Sequence, residues 1–486
     1  MMTLALTTLY AICALLLAIY TLGHGLLLIQ YLRHRRQAIK LPQLDVVDYP
    51  TVTVQLPIYN EQFVAVRVLD AVANLDYPAD KLCIQLLDDS TDATSQRLAT
   101  NMAYYPHLQL EHIQRPERTG YKAGALAYGL SKTESDFIAI FDADFIPPAD
   151  FLKRTIPHLV ADKQLAVVQT RWGHLNAEDN WLTRSQVLSI DTHFMIEQFG
   201  RNRSGWMLPF NGTGGVWRRD AIEDAGGWSH ATLTEDLDLS FRAQLKGWQA
   251  LFLPDIVVNG ELPPQIAAYR RQQGRWAQGS SQCLRRLIVP LWQSDKSLMT
   301  KIMATQHLAQ YVPHLLMLTL LLLTPPMLLT GALHALPLAP LGIIGLIPPL
   351  MYIVSQYDNT RGTWRNLLAF PALLLIGTGL IAHNARYVLK GFVTRYSVFE
   401  RTPKFVDGWQ HSGYALLSDG TTMLDFALLL YALWAAWLAW QQAPALVPYL
   451  LLHTLSFLTV IAWGALDRWR IYGAQAKQPQ QNIRNI

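Results

Sequence analysis

The chain has 486 residues, of which 51% are hydrophobic and only 16% are charged, a low charged fraction for a soluble protein. The formal net charge of +4, with no basic stripe interleaved with aromatic residues, excludes a nucleic-acid groove. Cys13, Cys83 and Cys283 lie far apart without a CxxC pair, which predicts unpaired thiols rather than a zinc site or a disulfide framework.

The first predicted element is a transmembrane helix. Residues 3–32 contain no Asp, Glu, Lys or Arg and exceed the roughly 20 apolar residues that cross a bilayer. The segment lacks a basic leading region and is too long for the core of a signal peptide. Because Arg33, Arg35 and Arg36 follow it, the positive-inside rule predicts an outside N-terminus and a cytoplasmic C-terminal end.

Strand and helix patterns then alternate. Predicted strands cover 52–56, 82–87, 108–113 and 137–141, and a helix carries Val64, Val68 and Val72 on one face. This alternation favours an α/β domain with a parallel sheet, in which ligands bind beyond the carboxyl ends of the strands. Asp88, Asp89, Asp142 and Asp144 follow such ends, so we expect them to lie near one another.

Two amphipathic segments are candidates for the membrane surface. Residues 181–199 fit an interfacial helix and an ordinary helix on the soluble core equally well. Residues 284–292 place leucines on one face and Arg285 and Arg286 opposite them. A spanning segment follows directly, which favours the membrane surface for this second helix.

The C-terminal half contains four further predicted spans, at 304–333, 337–357, 423–440 and 445–466. The segment 366–389 is also apolar, but basic residues flank it on both sides, so the positive-inside rule favours an interfacial or re-entrant position. A six-span arrangement would put a basic loop or the tail on the wrong side. The predicted units are a transmembrane helix at 1–36, an α/β domain at 40–280, an interfacial helix at 281–300, two spans within 301–357, a re-entrant segment with a loop at 358–422, two spans within 423–467 and a cytoplasmic tail at 468–486.

An Asp-x-Asp pair, Asp142 and Asp144, can present carboxylate oxygens to a hard divalent cation such as Mg²⁺ or Mn²⁺. A cation there would neutralise a departing diphosphate. A solvated strand end is the alternative for this pair by itself.

Asp88 and Asp89 can accept hydrogen bonds from a base and a ribose, or cap the next helix. Lys122 is a candidate for contacting the diphosphate.

Glu235 and Asp236 form the candidate catalytic site. A carboxylate can take the proton of an acceptor hydroxyl as that oxygen attacks an anomeric carbon, although a helix cap is the alternative. Gln272, Arg275 and Trp276 complete the set, because Arg binds phosphate bidentately and Trp offers a face for a sugar ring. Residues 169–172 mimic this cluster but are assigned to no site.

The motifs LDDSTD, GYKAGAL, FNGTGG, TEDLDLSFR and QQGRW, in this order, resemble those of processive family 2 glycosyltransferases. The chain is similar to cellulose synthases and cellulose-synthase-like mannan and glucan synthases over residues 50–405. The resemblance implies a GT-A (Rossmann-like) cytoplasmic domain beside a transmembrane bundle. It also implies a nucleotide-sugar donor, a divalent metal and inversion at the anomeric carbon.

The resemblance assigns roles residue by residue. It implies donor contacts for Tyr59, Glu61, Asp88, Asp89, Lys122, Asp142, Gln272 and Arg275, metal binding for Asp142 and Asp144, acceptor contacts for Trp276, Phe210, Asn211, Gly212 and Thr213, catalysis by Asp236 with Glu235, and a gating loop with Phe399, Thr402 and Lys404. Arg401 stands where the family's gating loop has Val, which weakens that last assignment.

Three functions follow as hypotheses. The first is a synthase that polymerises a hexose from UDP-glucose or GDP-mannose into a β-linked polysaccharide and translocates it across the bacterial inner (plasma) membrane, with room for additional export subunits. The second is a non-processive glycolipid synthase, similar to ceramide or diacylglycerol glucosyltransferases, with a lipid acceptor. The third, a scaffold without activity, is disfavoured because every carboxylate of the set is present.

Overall fold

The computed structural model describes residues 1–43, 49–336, 339–358, 364–394, 397–405, 409, 414–416 and 422–477. The strands are β1 Val52–Ile58, β2 Leu82–Asp88, β3 Gln109–Ile113, β4 Phe137–Ile140, β5 Leu165–His174, β6 Gly215–Arg218 and β7 Gln249–Gly260. The helices up to the end of the α/β domain are α1 Met2–His34, α2 Ala65–Ala73, α3 Thr94–Met102, α4 Tyr121–Leu130, α5 Phe151–Ala161, α6 Trp181–Thr192, α7 Phe199–Arg203, α8 Arg219–Asp224 and α9 Glu235–Leu245. The remaining helices are α10 Ile266–Gln293, α11 Leu298–Leu308, α12 Val312–Leu329, α13 Ala339–Ile344, α14 Ile347–Asp358, α15 Trp364–Leu367, α16 Phe370–Gly379, α17 Ile381–Val393, α18 Thr422–Gln442 and α19 Val447–Lys477.

The seven strands form one sheet in the order β3-β2-β1-β4-β6-β5-β7. All neighbours are parallel except β6, which is antiparallel to both β4 and β5. The expectation of a parallel sheet is therefore wrong at this strand. The chain leaves β5 through α6 and α7 and returns to the sheet through residues 210–214, so it enters β6 in the opposite direction.

Both faces of the sheet are covered, as alternation along β4 shows. Phe137 and Ala139 belong to the apolar core on one face, whereas Ile138 and Ile140 belong to the core on the other. Helix α2 contributes Val68 to the first of these cores. This packing fixes the carboxyl ends of β1, β2 and β4, and with them the acidic residues that follow.

Within the described residues, five helices are long and apolar enough to cross a membrane, or up to six if the bent pair Arg365–Gly379 and Ile381–Val393 is one span: Thr3–His34, Val312–Leu329, Pro340–Asp358, Thr422–Gln442 and Pro444–Ala474. They coincide with the five predicted spans. The intervening segment Arg365–Gly379 and Ile381–Val393 is bent by 49°, so it is no straight helix. Their passage through a bilayer, and its direction, stay predictions.

Helix α10 differs from the expectation. The QQGRW motif and the amphipathic residues 284–292 lie on one continuous helix, Ile266–Gln293, so no element boundary falls at 280. Glycines lie where this helix meets α17: a Cβ on Gly274 would lie 2.9 Å from Tyr387, and one on Gly391 would lie 2.6 Å from the Gln278 carbonyl oxygen. Helices α10 and α17 therefore pack closely.

Two aspartates from the C-terminal helices anchor the start of α10. The Ile266 amide donates a hydrogen bond to Asp467 (3.0 Å), and the Arg270 guanidinium lies 2.8 Å from the buried Asp425 carboxylate. The motif-bearing helix is thereby fixed to α18 and α19, so the α/β domain and the helical bundle meet at α10.

Candidate active site

A cavity of about 810 Å³ lies between the carboxyl edge of the sheet and the helical bundle. Its lining includes Asp142 and Asp236 from the α/β domain, and Tyr20, Tyr311 and Thr378 from α1, α12 and α16. Predicted site residues that line it are Tyr59, Glu61, Asp89, Lys122, Asp142, Asp144, Phe210, Asn211, Gly212, Glu235, Asp236, Gln272, Arg275, Trp276, Phe399, Thr402 and Lys404. Residues dispersed over 346 positions thus converge on one space.

The two Asp-x-Asp carboxylates each contact a lysine. Lys122 Nζ lies 2.5 Å from Asp142 Oδ1, and Lys404 Nζ lies 2.5 Å from Asp144 Oδ2. Burial raises the pKa of Asp144, an effect that the Lys404 ammonium opposes. Lys122 also lies 3.7 Å from Glu235 and donates to the Gly212 carbonyl, so it connects Asp142 of the Asp-x-Asp pair to Glu235.

These donors fit a divalent cation that shares its ligands with a substrate. The described residues contain no group of three His, Cys, Asp or Glu side chains placed to hold an ion. Asp142 and Asp144 nevertheless offer carboxylate oxygens at the cavity wall. Mg²⁺ and Mn²⁺ are commonly held in this way, by one or two carboxylates plus phosphate oxygens.

The Asp88 and Asp89 side chains have different surroundings. Asp88 is buried and accepts hydrogen bonds from Ser95 (2.5 Å), His112 (2.8 Å) and the Ser90 amide (2.9 Å). Burial opposes its charge, but these hydrogen bonds hold its pKa well below the usual range. Asp88 does not line the cavity, and its contacts with the donor stay a prediction.

Asp89 does line the cavity. Its carboxylate forms a bidentate pair with Arg115, with Nε–Oδ1 at 2.9 Å and Nη2–Oδ2 at 2.5 Å. Beside it, the Arg118 guanidinium lies over the Tyr59 ring, 3.4 Å from the centroid. Sequence reasoning missed Arg118, although it stands just before the GYKAGAL motif and adds a cation to the lining.

Asp236 occupies the first turn of α9 and is half-buried. Burial and the neighbouring Glu235 carboxylate raise its pKa to about 7, against the opposing effect of Lys122 and Arg275. Gly212 closes this position from the opposite side with φ +86°, and a Cβ there would lie 2.6 Å from Asp236 Oδ2. Only glycine fits this conformation and this contact. Asp236 can therefore exchange a proton near neutral pH.

Residues 210–213 are buried except Asn211, which is half-buried. Phe210 packs edge-on against Trp217, and the Asn211 amide donates to Gln169 Oε1 at 2.8 Å. Thr213 is fully buried, and its hydroxyl accepts a hydrogen bond from the Asp142 amide at 2.9 Å. Thr213 thus contacts the Asp-x-Asp segment and does not line the cavity, so its contact with the acceptor stays a prediction.

Loop residues 397–405 lie over the donor side of the cavity. The Arg275 guanidinium lies over the Phe399 ring at 4.6 Å, and Arg401 lies 3.5 Å from Glu61. Burial raises the pKa of Glu61 to about 7, while Arg401 favours its ionised form. Together with the contact between Lys404 and Asp144, these interactions attach the loop to three motifs of the site.

The comparisons with known proteins agree with this geometry. Residues 50–279 match the model described as glycosyltransferase like family 2. Residues 50–279 are therefore similar to family 2 glycosyltransferase domains. They contain β1 to β7 and the first half of α10, which carries QQGRW.

Curated relatives of this chain include glucomannan 4-beta-mannosyltransferase 1 of Oryza sativa. The two sequences are 41% identical over 261 residues, which make up 52% of this chain and 50% of the relative. Glucomannan 4-beta-mannosyltransferase 9 of Arabidopsis thaliana is 42% identical over 49% of this chain and 46% of the relative. The chain thus spans about half the length of the curated relatives it matches. A solved mannosyltransferase from Pyrobaculum calidifontis, in complex with GDP-Man and Mn²⁺, is 22% identical and covers 79% of this chain and 99% of its own, with a TM-score of 0.56. At this identity it supports the GT-A fold.

The cavity is also lined by residues that the sequence motifs did not reveal. Trp172 and His174 of β5 line the cavity, although the 169–172 cluster had been assigned to no site. His193 and Glu197 line it from the segment between α6 and α7. Their helical spacing gave no signal, because His and Glu four residues apart commonly form an ordinary surface pair.

Proposed function

We propose that this chain is an inverting, membrane-embedded glycosyltransferase that adds hexose units from a nucleotide sugar to a growing β-linked polysaccharide. One observation carries the proposal: a single cavity extends from Asp142 and Asp236 to side chains of the membrane helices, such as Tyr20 and Tyr311. A sugar added at Asp236 would have a polar and aromatic path into the bundle. A receptor or scaffold would need neither a half-buried base nor this path.

The proposed transfer step uses Asp236 as the general base. Its carboxylate accepts the proton of an acceptor hydroxyl while that oxygen bonds to the anomeric carbon. The bond between the anomeric carbon and the diphosphate oxygen breaks, and its electron pair leaves with the nucleoside diphosphate. Attack opposite the leaving group inverts the anomeric configuration. The pKa of about 7 suits a base that works near neutral pH.

The donor end would stabilise the leaving group. Asp142 and Asp144 would hold Mg²⁺ or Mn²⁺, which supplies positive charge to the diphosphate when bound. Arg275 provides a planar guanidinium for phosphate oxygens, and Lys122 lies between the carboxylates of Asp142 and Glu235. Trp276 lines the same space and offers a flat face to the acceptor sugar.

Mannose is the favoured sugar, and GDP-mannose the favoured donor over UDP-glucose. The support comes from relatives 41–42% identical that are named 4-beta-mannosyltransferases and from a neighbour of the same fold solved with GDP-Man. The five apolar helices support a membrane location. The basic flanks of the spans favour a cytoplasmic catalytic domain.

The test uses the purified full chain in lipid nanodiscs with radiolabelled GDP-mannose or UDP-glucose and either Mg²⁺ or Mn²⁺. We expect polymer from GDP-mannose that an endo-β-mannanase degrades and a cellulase leaves intact. A product of one hexose on a lipid would instead support the glycolipid synthase and overturn the polymerase. Cellulase-sensitive polymer from UDP-glucose would overturn the choice of donor alone.

A further inference from the structure

A carboxylate held between two imidazoles lines the cavity away from the donor end. Glu197 Oε2 lies 3.0 Å from His193 Nδ1, and Glu197 Oε1 lies 3.4 Å from His24 Nε2. Glu197 and His193 belong to a π-helical turn, His193–Gln198, and His24 belongs to α1. All three side chains are about one-fifth exposed and all three line the cavity, so they are accessible to a ligand there.

The charge of this cluster is sustained by its surroundings. Burial opposes ionisation of Glu197, but hydrogen bonds from His193 and His24 hold its pKa well below the usual range. Arg201 is buried nearby and donates to the Met303 carbonyl at 2.7 Å and to Gln306 at 3.1 Å. The other titratable groups facing the cluster are His307, Tyr20 and Tyr352.

The cluster is connected to the loop beside the base. His193 Nε2 lies 3.1 Å from the Asn211 side-chain amide, and Gln198 also donates to Asn211. The next residue, Gly212, lies beside Asp236, since a Cβ on it would be 2.6 Å from Asp236 Oδ2. The imidazole–carboxylate cluster is thus connected, through Asn211 and Gly212, to the side of Asp236.

We propose that Glu197, with His193 and His24, forms a sugar-binding subsite on the acceptor path, which holds the hydroxyl groups of a unit behind the one being extended. An ionised carboxylate accepts hydrogen bonds from sugar hydroxyls, and a neutral imidazole can donate or accept them. The cluster takes no part in binding the donor or in removing the proton. This inference rests on the proposed function, because it requires a glycan acceptor.

The test compares the full wild-type chain with Glu197→Gln in nanodiscs, with GDP-mannose, Mn²⁺ and β-1,4-linked mannobiose to mannohexaose as acceptors. We expect the KM for the longer acceptors to rise about tenfold, because hydrogen bonds to charged groups are the stronger ones. The Kd of the donor should stay within twofold. Polymer made without added acceptor should become shorter, because the growing chain dissociates more often.

Glu178→Gln is the matched control, because Glu178 lies just before α6, is 78% exposed and pairs with Arg184 at the surface. It should leave both constants unchanged. Should Glu197→Gln fail to bind donor, His24→Gln replaces it, with an expected rise in acceptor KM of about threefold.

The outcomes separate the two proposals. A wild-type chain that binds donor but elongates no oligosaccharide would overturn the proposed function and the subsite together. A wild-type chain that elongates, with folded Glu197 and His24 variants whose acceptor KM is unchanged, would overturn the subsite alone. A rise in donor KM equal to that in acceptor KM would also contradict it, because a merely structural defect affects both.

Discussion

Carboxylates at the proposed donor end of the cavity have cationic partners, whereas Asp236 at the proposed acceptor end does not have one within the described residues. At the donor end, comprising Asp89, Asp142 and Asp144, each carboxylate has a cationic partner within 2.5 Å. At the acceptor end, Asp236 forms no ion pair with any side chain in the described ranges, and burial raises its pKa to about 7. The first arrangement suits the exchange of one cation for another, and the second suits the exchange of a proton.

Substitutions that remove a charge but keep the shape should therefore fail in different ways at the two ends. At the acceptor end they should abolish proton transfer and leave donor binding intact. At the donor end they should weaken binding of the metal-bound nucleotide sugar. The predictions below test this division.

Asp236→Asn should have the largest effect. The amide cannot accept the hydroxyl proton, so we expect kcat to fall by about 10³-fold, within the range of general-base catalysis. Steady-state turnover with GDP-mannose measures the loss, and titration of the Kd for GDP with Mn²⁺ should show less than a twofold change. A comparable loss of GDP affinity would mean that the two ends are not separate.

Asp144→Asn should lower donor affinity in Mn²⁺ by about 100-fold, because one of the two carboxylates offered to the cation is lost. Affinity measured in EDTA should barely change. Asp150→Asn is the control, since Asp150 follows the same strand but its side chain is 53% exposed and pairs only with Arg154 within the described structure. Equal losses with and without the metal would contradict a metal-binding role.

The parallel strands could be predicted from the sequence because the alternation of apolar residues, as at Val52, Val54 and Leu56, is a local signal for a buried strand. Sequence reasoning located the carboxylates for the same reason, since they follow strands. It could not predict contacts with residues that are distant in the sequence. Asp88 is satisfied by His112, and Thr213 supports Asp142, contacts that no spacing predicts.

Two further failures have physical causes of the same kind. Strand β6 is antiparallel because the chain passes through α6 and α7 before it returns to the sheet. The hydrophobic pattern of a strand carries no information about the direction in which the chain enters the sheet. Helix α10 is continuous over Ile266–Gln293, whereas the amphipathic pattern of residues 284–292 by itself predicted a separate helix. The cluster at Glu197 joins α1 to the catalytic domain, so its contacts connect segments about 170 residues apart.

Arg275→Lys should produce an intermediate effect. Lysine keeps the charge but loses the planar fork and the contact with the Phe399 ring. We expect the KM for GDP-mannose to rise about tenfold while kcat falls less than threefold. Arg154→Lys, a surface substitution on α5, is the control. A fall in kcat with an unchanged KM for GDP-mannose would place Arg275 at the acceptor end and contradict its assignment to the donor end.

The smallest predicted effect is on stability, and its sign follows from the pKa of Asp236. The folded-state pKa of about 7 exceeds the ordinary value of 3.8 for an Asp side chain, so the folded chain binds more protons than the unfolded chain between these two values. Stability therefore falls as the pH rises from about 4 to about 7, and the full penalty persists above pH 7. Asp236→Asn removes the penalty. Its apparent Tm should exceed that of the wild type by a few degrees at pH 8 and match it near pH 4, as followed by the fluorescence of a thiol-reactive dye or by intrinsic Trp emission. A gain in Tm that is the same at both pH values would show that the half-buried charge is compensated, and the proposed contrast between paired and unpaired carboxylates would then lose its physical basis.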